Sequence, residues 1–234
     1  MSEPGLSIKA FLGIDNTSDP ASVSVKRKGG IYFSEMDNVD IDDAGKPHLR
    51  KGYGSALLTG TSIRSIWANA KICLFADGTN FKRLNADNTP TTLVEGINAT
   101  DPMCYVAHGS IAYFSNSSII GYIDLKTGLP YPFPSPNKAY KKKMIGGHIL
   151  EWYRSRLFAA NGANLFFSDA TIQTRMDTRK NVIAFPSRLT MVKAVDNGIY
   201  VSDSECTYFE AGGSPAEFVE AQKLDFPAIE GMSV

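Results

Sequence analysis

Four acidic side chains, Asp37, Asp40, Asp42 and Asp43, stand close enough in sequence to suggest a calcium loop. An EF-hand loop needs oxygen ligands at its first, third and fifth positions, Gly at the sixth and Glu at the twelfth. Counted from Asp40, Gly45 falls on the sixth position, but Ala44 stands at the fifth and Lys51 at the twelfth. The missing ligand and the lysine at the bidentate position favour a solvated hairpin turn, so no metal is expected. His48, His108 and His148 have no second His or Cys at zinc-finger spacing. Cys104 and His108 form a near pair, the raw material of a Cys–His nucleophile. Cys104, however, lies in an apolar run and His108 beside the turn residues Gly109 and Ser110, which reads as a core thiol and a turn histidine.

Other enzyme chemistries leave equally little trace. Glycosidases need a clustered carboxylate pair, and sialidases add arginines for the substrate carboxylate. The chain has Ser202-Asp203-Ser204 and Ser168-Asp169-Ala170 but no S-x-D-x-G-x-T-W turn signature. It also lacks a G-x-S-x-G elbow, a Walker loop and an H-E-x-x-H motif. A non-enzymatic protein without a cofactor is expected. Two basic runs remain, Lys26-Arg27-Lys28 and Lys141-Lys142-Lys143, the second following a Pro-rich stretch from Pro130 to Pro136. Solvated loops are their ordinary reading. The alternative is contact with a phosphate backbone, since local positive charge can line a path for DNA even on a neutral protein.

The 234 residues carry 24 basic and 24 acidic side chains, and this balance argues against a dedicated nucleic-acid binder. With 43% hydrophobic and 21% charged residues the chain is a globular rather than a disordered one. Thirteen Phe, 10 Tyr, 20 Gly and 12 Pro favour strands joined by tight turns. Cys73, Cys104 and Cys206 lie in apolar runs, as free thiols made in a reducing compartment would. No signal peptide opens the chain and no apolar run reaches membrane-spanning length, so no membrane anchor is expected. The N-x-S/T triplets at Asn16, Asn98 and Asn116 carry no weight without a secretory route.

What must position these residues is a repeat. From residue 61 a short apolar run ending in Asp or Asn recurs, starting at residues 72, 111, 156 and 198 and ending at Asp77, Asn116, Asn161 and Asp203. Each run is preceded by another, at Ile63–Ala68, Met103–Ala107, Ile149–Tyr153 and Leu189–Val195. Each is followed by a third, at Phe81–Leu84, Ile119–Ile123, Leu165–Phe167 and Thr207–Phe209. A weaker fourth run appears at Thr92–Val94 and Phe218–Val219. Three or four short strands in about 42 residues is the period of β-propeller blades, which stack because one small sheet cannot cover its own apolar faces. The expected fold is therefore all-β, a propeller-like array of about four repeats over residues 61–234. An N-terminal arm and hairpin occupy residues 1–60, with the hairpin turning at Asp43-Ala44-Gly45 and Pro47 marking an edge strand. A fifth unit would need strands from 31–59. Residues 225–234 look like the start of another strand, which either closes a sheet with the N-terminal strands or leaves the ring incomplete. The one candidate for a helix is Ala170–Thr178, with a loop as the alternative.

The segment from Phe11-Leu12-Gly13-Ile14-Asp15-Asn16 through Asn38-Val39-Asp40-Ile41-Asp42-Asp43-Ala44-Gly45-Lys46 to Leu49-Arg50-Lys51-Gly52-Tyr53 resembles the opening of tailed-bacteriophage virion proteins. It is similar to the tail nozzle (tail tubular protein B) and packaged-DNA-stabilising group. The resemblance is specific over roughly residues 8–54 and architectural over 61–224, and 234 residues is short for that group. It implies a structural subunit of a phage tail or head-to-tail assembly, made in the host cytoplasm and carried in the virion. Such subunits form a ring, most often of six copies, docked to other tail or connector proteins. DNA passes through it without sequence-specific binding, and a ring that lets DNA slide has no use for tight phosphate contact. On this reading Phe11, Leu12 and Ile14 anchor the arm, while Lys26, Arg27, Lys28, Lys141, Lys142 and Lys143 are the candidate channel contacts. The alternative is a receptor- or carbohydrate-binding module at the tail tip, with Trp67, Trp152, Tyr131 and Tyr140 as candidate platforms for a sugar.

Overall fold

The computed structural model describes residues 58–230 and, nearer the N-terminus, the backbone of four short strands. The chain divides into two compact units, Met1–Ala56 and Leu57–Val234. In the first unit β1 (Ala10–Ile14) pairs in parallel with β2 (Gly30–Phe33), and β3 (Val39–Ile41) pairs antiparallel with β4 (Pro47–Leu49), Val39 opposite Leu49. The expected hairpin is therefore present. Within the arm, the segment holding Phe11, Leu12 and Ile14 is a strand. A parallel pair needs a long connection instead of a tight turn, and residues 15–29 separate its strands. Asp37, Asp42, Asp43, Ala44, Gly45, Lys26, Arg27 and Lys28 lie outside the described residues, as do the side chains of Phe11, Leu12, Ile14, Asp40 and His48.

The second unit holds four antiparallel four-stranded sheets in chain order. The first is β5 (Ile63–Ala68), β6 (Cys73–Asp77), β7 (Asn80–Leu84) and β8 (Pro90–Glu95). The second is β9 (Cys104–His108), β10 (Ile111–Ser115), β11 (Ile120–Asp124) and β12 (Pro130–Pro132). After β13 (Lys141–Lys143) the third begins with β14 (Ile149–Tyr153), β15 (Arg156–Asn161) and β16 (Asn164–Phe167). The chain then leaves this sheet as β17 (Arg175–Asp177), which pairs with β13, and returns as its fourth strand β18 (Val182–Ala184). The fourth sheet is β19 (Met191–Val195), β20 (Gly198–Ser202), β21 (Thr207–Ala211) and β22 (Val219–Leu224). This is an all-β, propeller-like array of four sheets, as the spacing predicts, and among the described residues there is no α-helix.

One alternation explains why these runs become stacked sheets. In β10, β15 and β20 the second and fourth residues face the preceding sheet and the third faces away from it, while in β6 Leu74 and Ala76 face the following sheet. Ala112 and Phe114 join Leu74 between the first two sheets. Leu157 and Ala159 join Tyr113 between the second and third, and Ile199 and Val201 join Phe158 between the third and fourth. A run apolar at consecutive positions is what burial on both faces requires. The first strands of neighbouring sheets also lie together, β9 against β14 and β14 against β19.

Two expectations fail at the same place. Residues 170–178 form no helix: Asp169 bridges to Ile172, and Arg175–Asp177 is β17. The β-branched Thr171, Ile172, Thr174 and Thr178 favour strand and turn, and the open edge of β13 supplies hydrogen-bond partners. Lys141, Lys142 and Lys143, ordinarily read as a solvated loop, form that other strand of the ribbon.

Candidate functional site

The Cys104–His108 pair is held apart by its packing. The Cys104 thiol donates to the carbonyls of Ser115 and Gly147, and burial pushes it up to about 12, out of the range of a useful nucleophile. His108 ends β9 instead of sitting in the turn, with its ring stacked on Trp152 at 4.0 Å. His148 Nε2 donates at 2.8 Å to the Leu189 carbonyl, and burial holds its pKa below the ordinary imidazole value. Among the described residues no group of three or more His, Cys, Asp or Glu is placed to hold a metal ion.

The recurring Asp or Asn at the end of each second strand fastens the backbone. Asn116 Oδ1 accepts from the amides of Ser118 and Ile119, and Asp203 Oδ1 from those of Glu205 and Cys206, closing turns in the second and fourth sheets. Asn161 Nδ2 donates to the Gly146 carbonyl, ahead of β14. Asp77 Oδ1 accepts from Thr61 and Ser62 N–H at 2.8 and 3.0 Å, while Lys82 Nζ donates to its Oδ2 at 2.7 Å. The Lys82 hydrogen bond and the two amides lower the Asp77 carboxyl to about 2. An unfolded Asp titrates near ~3.9, so the stabilisation this carboxylate contributes is complete above about pH 4 and is lost as pH falls toward 2. Asp77→Asn should therefore flatten the acid limb of stability between roughly pH 4 and pH 2, read from urea midpoints across that range. An unchanged acid limb would show that Asp77 does not set it.

The β13–β17 ribbon gathers the charged side chains. Asp169 Oδ1 accepts from Lys141 Nζ at 2.8 Å and from Asn181 Nδ2 at 3.2 Å, and its Oδ2 from Arg175 Nε at 2.8 Å. Burial alone would raise this carboxyl, but the Lys141 and Arg175 hydrogen bonds outweigh it and hold it below the ordinary range. The Arg179 guanidinium does the same for Asp177, more strongly. Of the three lysines singled out by sequence, Lys141 is thus committed to Asp169 and Asp177, while Lys142 and Lys143 are exposed along a groove that also includes Ser135, Pro136, Asn137 and Lys138.

Beside the ribbon lies a cleft of about 420 Å³ that sequence reading missed. Arg156 from β15, Arg175 from β17, and Lys180 and Asn181 from the following turn converge there with Lys141 around Asp169. Phe167 and the β21–β22 loop residues Pro215 and Ala216 supply apolar walls. Arg156 is fixed by a 2.7 Å hydrogen bond to the Ser168 carbonyl and lies 5.7 Å from the Phe167 ring centroid. These cations are scattered from residue 141 to 180, so only the ribbon's pairing makes them neighbours.

A second surface follows from the alternation of faces. In the fourth sheet the residue facing onward is Tyr200, the counterpart of the fully buried Phe158. Tyr200 packs on Phe209 with centroids 4.7 Å apart, yet both remain half-buried, and Val219 on the same face is 66% exposed. Ser202 Oγ on this face accepts the amide of Ala228 at 2.7 Å. In the second sheet Ser115 Oγ accepts the amide of Gly147, the segment leading into β14. Ala228 thus makes a contact like that of the Gly147 segment. Residues 225–230 form no strand, and residues 231–234 lie outside the described residues. Of the candidate sugar platforms, Trp67 stacks on Tyr105 and Trp152 on Tyr113 and His108 between sheets, while Tyr131 stacks on Tyr122 and Tyr140 lies under the Arg179 guanidinium.

No family model matches the sequence, and no curated protein matches it. Among solved structures, the computationally designed Ika4 protein has a TM-score of 0.47 at 13% identity, covering 69% of this chain and 100% of that one. The WD40 domain of Pan2 from Neurospora crassa has a TM-score of 0.44 at 12% identity, covering 70% of this chain and 52% of that one. BamB from Moraxella catarrhalis has a TM-score of 0.48 at 8% identity, covering 79% of this chain and 55% of that one. The chain thus spans about half the length of the latter two, and likenesses at these scores say nothing about its function.

Proposed function

We propose that the chain is a non-enzymatic structural subunit of a phage tail or head-to-tail assembly. Copies of it join one another and neighbouring tail or connector proteins into a ring around the DNA channel. The observation that carries this reading is the onward face of the fourth sheet. Its Tyr200 and Phe209 occupy the positions of Phe158 and Phe167, which are buried beneath the next sheet in the third repeat. A surface built like the interior of the array suits a neighbouring copy in a head-to-tail ring, where each subunit presents one face and receives another. The resemblance over residues 8–54 adds the phage context, a copy number near six and a place in the virion. The receptor-binding alternative is weakened because Trp67 and Trp152 are used in packing between sheets, leaving Tyr131 and Tyr140.

The test is the assembly state of the full chain. Analytical ultracentrifugation should show a closed oligomer, and an electron micrograph of the virion should place it in the tail or neck. Val219→Asp, at a 66% exposed position, should keep the wild-type melting curve and abolish the oligomer. A wild-type chain that stays monomeric and is absent from virions would overturn the reading.

A further inference from the structure

We propose that the cleft between the third sheet and the β21–β22 loop binds a phosphate group, presented by Arg156, Arg175 and Lys180. Four cations, Lys141, Arg156, Arg175 and Lys180, line the cleft against one carboxylate, Asp169. That carboxylate is turned toward Lys141, Arg175 and Asn181, so its charge is spent inside the cluster. Lys141 also lies 3.7 Å from Asp177, whose remaining partner is Arg179 outside the cleft. The surplus falls on Arg156, which bonds a neutral carbonyl, and on Lys180, which has no carboxylate partner among the described residues.

The donors are also held in place before any ligand arrives. Arg156 is fixed by Ser168 through its Nη1 and by Phe167, and Arg175 by Asp169 through its Nε, leaving Nη2 of Arg156 and both terminal nitrogens of Arg175 for an incoming anion. Two planar guanidiniums and an exposed ammonium approaching from separate elements suit a tetrahedral oxyanion better than a planar carboxylate. A volume of about 420 Å³ exceeds a bare phosphate, and the wall of Phe167, Pro215 and Ala216 would receive the organic remainder of an ester. The phosphate can come from a small phosphorylated molecule or from a nucleic-acid strand. The site is independent of ring assembly, so either proposal can fail alone.

The experiment is calorimetric titration of the full chain with inorganic phosphate, a nucleoside monophosphate and a short single-stranded oligodeoxynucleotide. Arg156→Gln and Lys180→Gln should each weaken binding roughly tenfold, the loss of one charge-assisted hydrogen bond. Arg179→Gln, outside the cleft, should leave it unchanged, and melting curves confirm that each variant is folded. Binding confined to phosphate and the monophosphate supports a small-molecule source. Tighter oligonucleotide binding, with a salt dependence that lessens by about one counterion in each cleft variant, supports a strand. Failure of all three probes to bind, or equal binding by folded Arg156→Gln and Lys180→Gln, overturns the proposal.

Discussion

Phe158→Ala is expected to lower the melting temperature by roughly 10 °C, the result of about 3–5 kcal/mol lost from one core side chain. Phe158 is fully buried between the third and fourth sheets. Its ring meets Tyr153, Phe167 and Phe218 at centroid distances of 6.5, 5.8 and 6.3 Å. Three further rings around one site leave a void that the two stiff sheets cannot close by sliding a single residue. Thermal unfolding of the isolated chain by circular dichroism measures the effect. Tyr200→Ala is the matched control, since the same position in the next repeat is only half-buried and should cost a fraction as much. Equal losses at both positions would mean that Phe158 is no more deeply packed than its counterpart.

Gly147→Ala should be comparably damaging for a different reason. A methyl group at this residue would lie 2.0 Å from the Ala160 carbonyl oxygen and 2.7 Å from its carbon. Ala160 lies in the interior of the third sheet, opposite Ile149 in the pairing of β15 with β14, so the obstacle is backbone that cannot rotate away. The Gly147 segment would have to retreat, and its amide bond to Ser115 Oγ and the Cys104 Sγ bond to its carbonyl would lengthen or break. Overpacking and the lost hydrogen bonds together should cost about 3 kcal/mol or more, read as a lower urea midpoint at unchanged slope. A midpoint within error of wild type would show that the lead-in to β14 shifts freely.

Strand positions were largely legible because each repeat advertises itself locally. The run from Arg156 to Asn161 is β15 to the residue, and Ile63–Ala68 and Ile149–Tyr153 match β5 and β14. Burial on both faces forces such runs to be continuously apolar, and the closing Asp or Asn serves the turn beside it or the segment leading into the sheet. The ribbon was illegible because its partners lie far apart: Lys141 meets Asp177 across the whole third sheet's first three strands. The cleft inherits that difficulty. A run of three lysines attracts attention in a sequence, yet its first member is paired with two aspartates, while the isolated Arg156 and Lys180 carry the local surplus. Contiguity in sequence is a poor guide to charge when pairing across a sheet decides which cations remain available.

Each described sheet packs only against the sheets before and after it in the chain, which makes the second unit quasi-linear in energetic terms. Its stability is close to a sum of the four sheets' own free energies and three coupling energies between neighbours. The middle sheets hold two couplings each, whereas the first and the fourth hold one each among the described residues. Local opening should therefore begin at these two outer sheets, with amide exchange there faster than in the second and third. A partner settling on Tyr200 and Phe209 would add the missing coupling and slow exchange one sheet inward from the contact, so that assembly and folding cooperativity become two readings of one quantity.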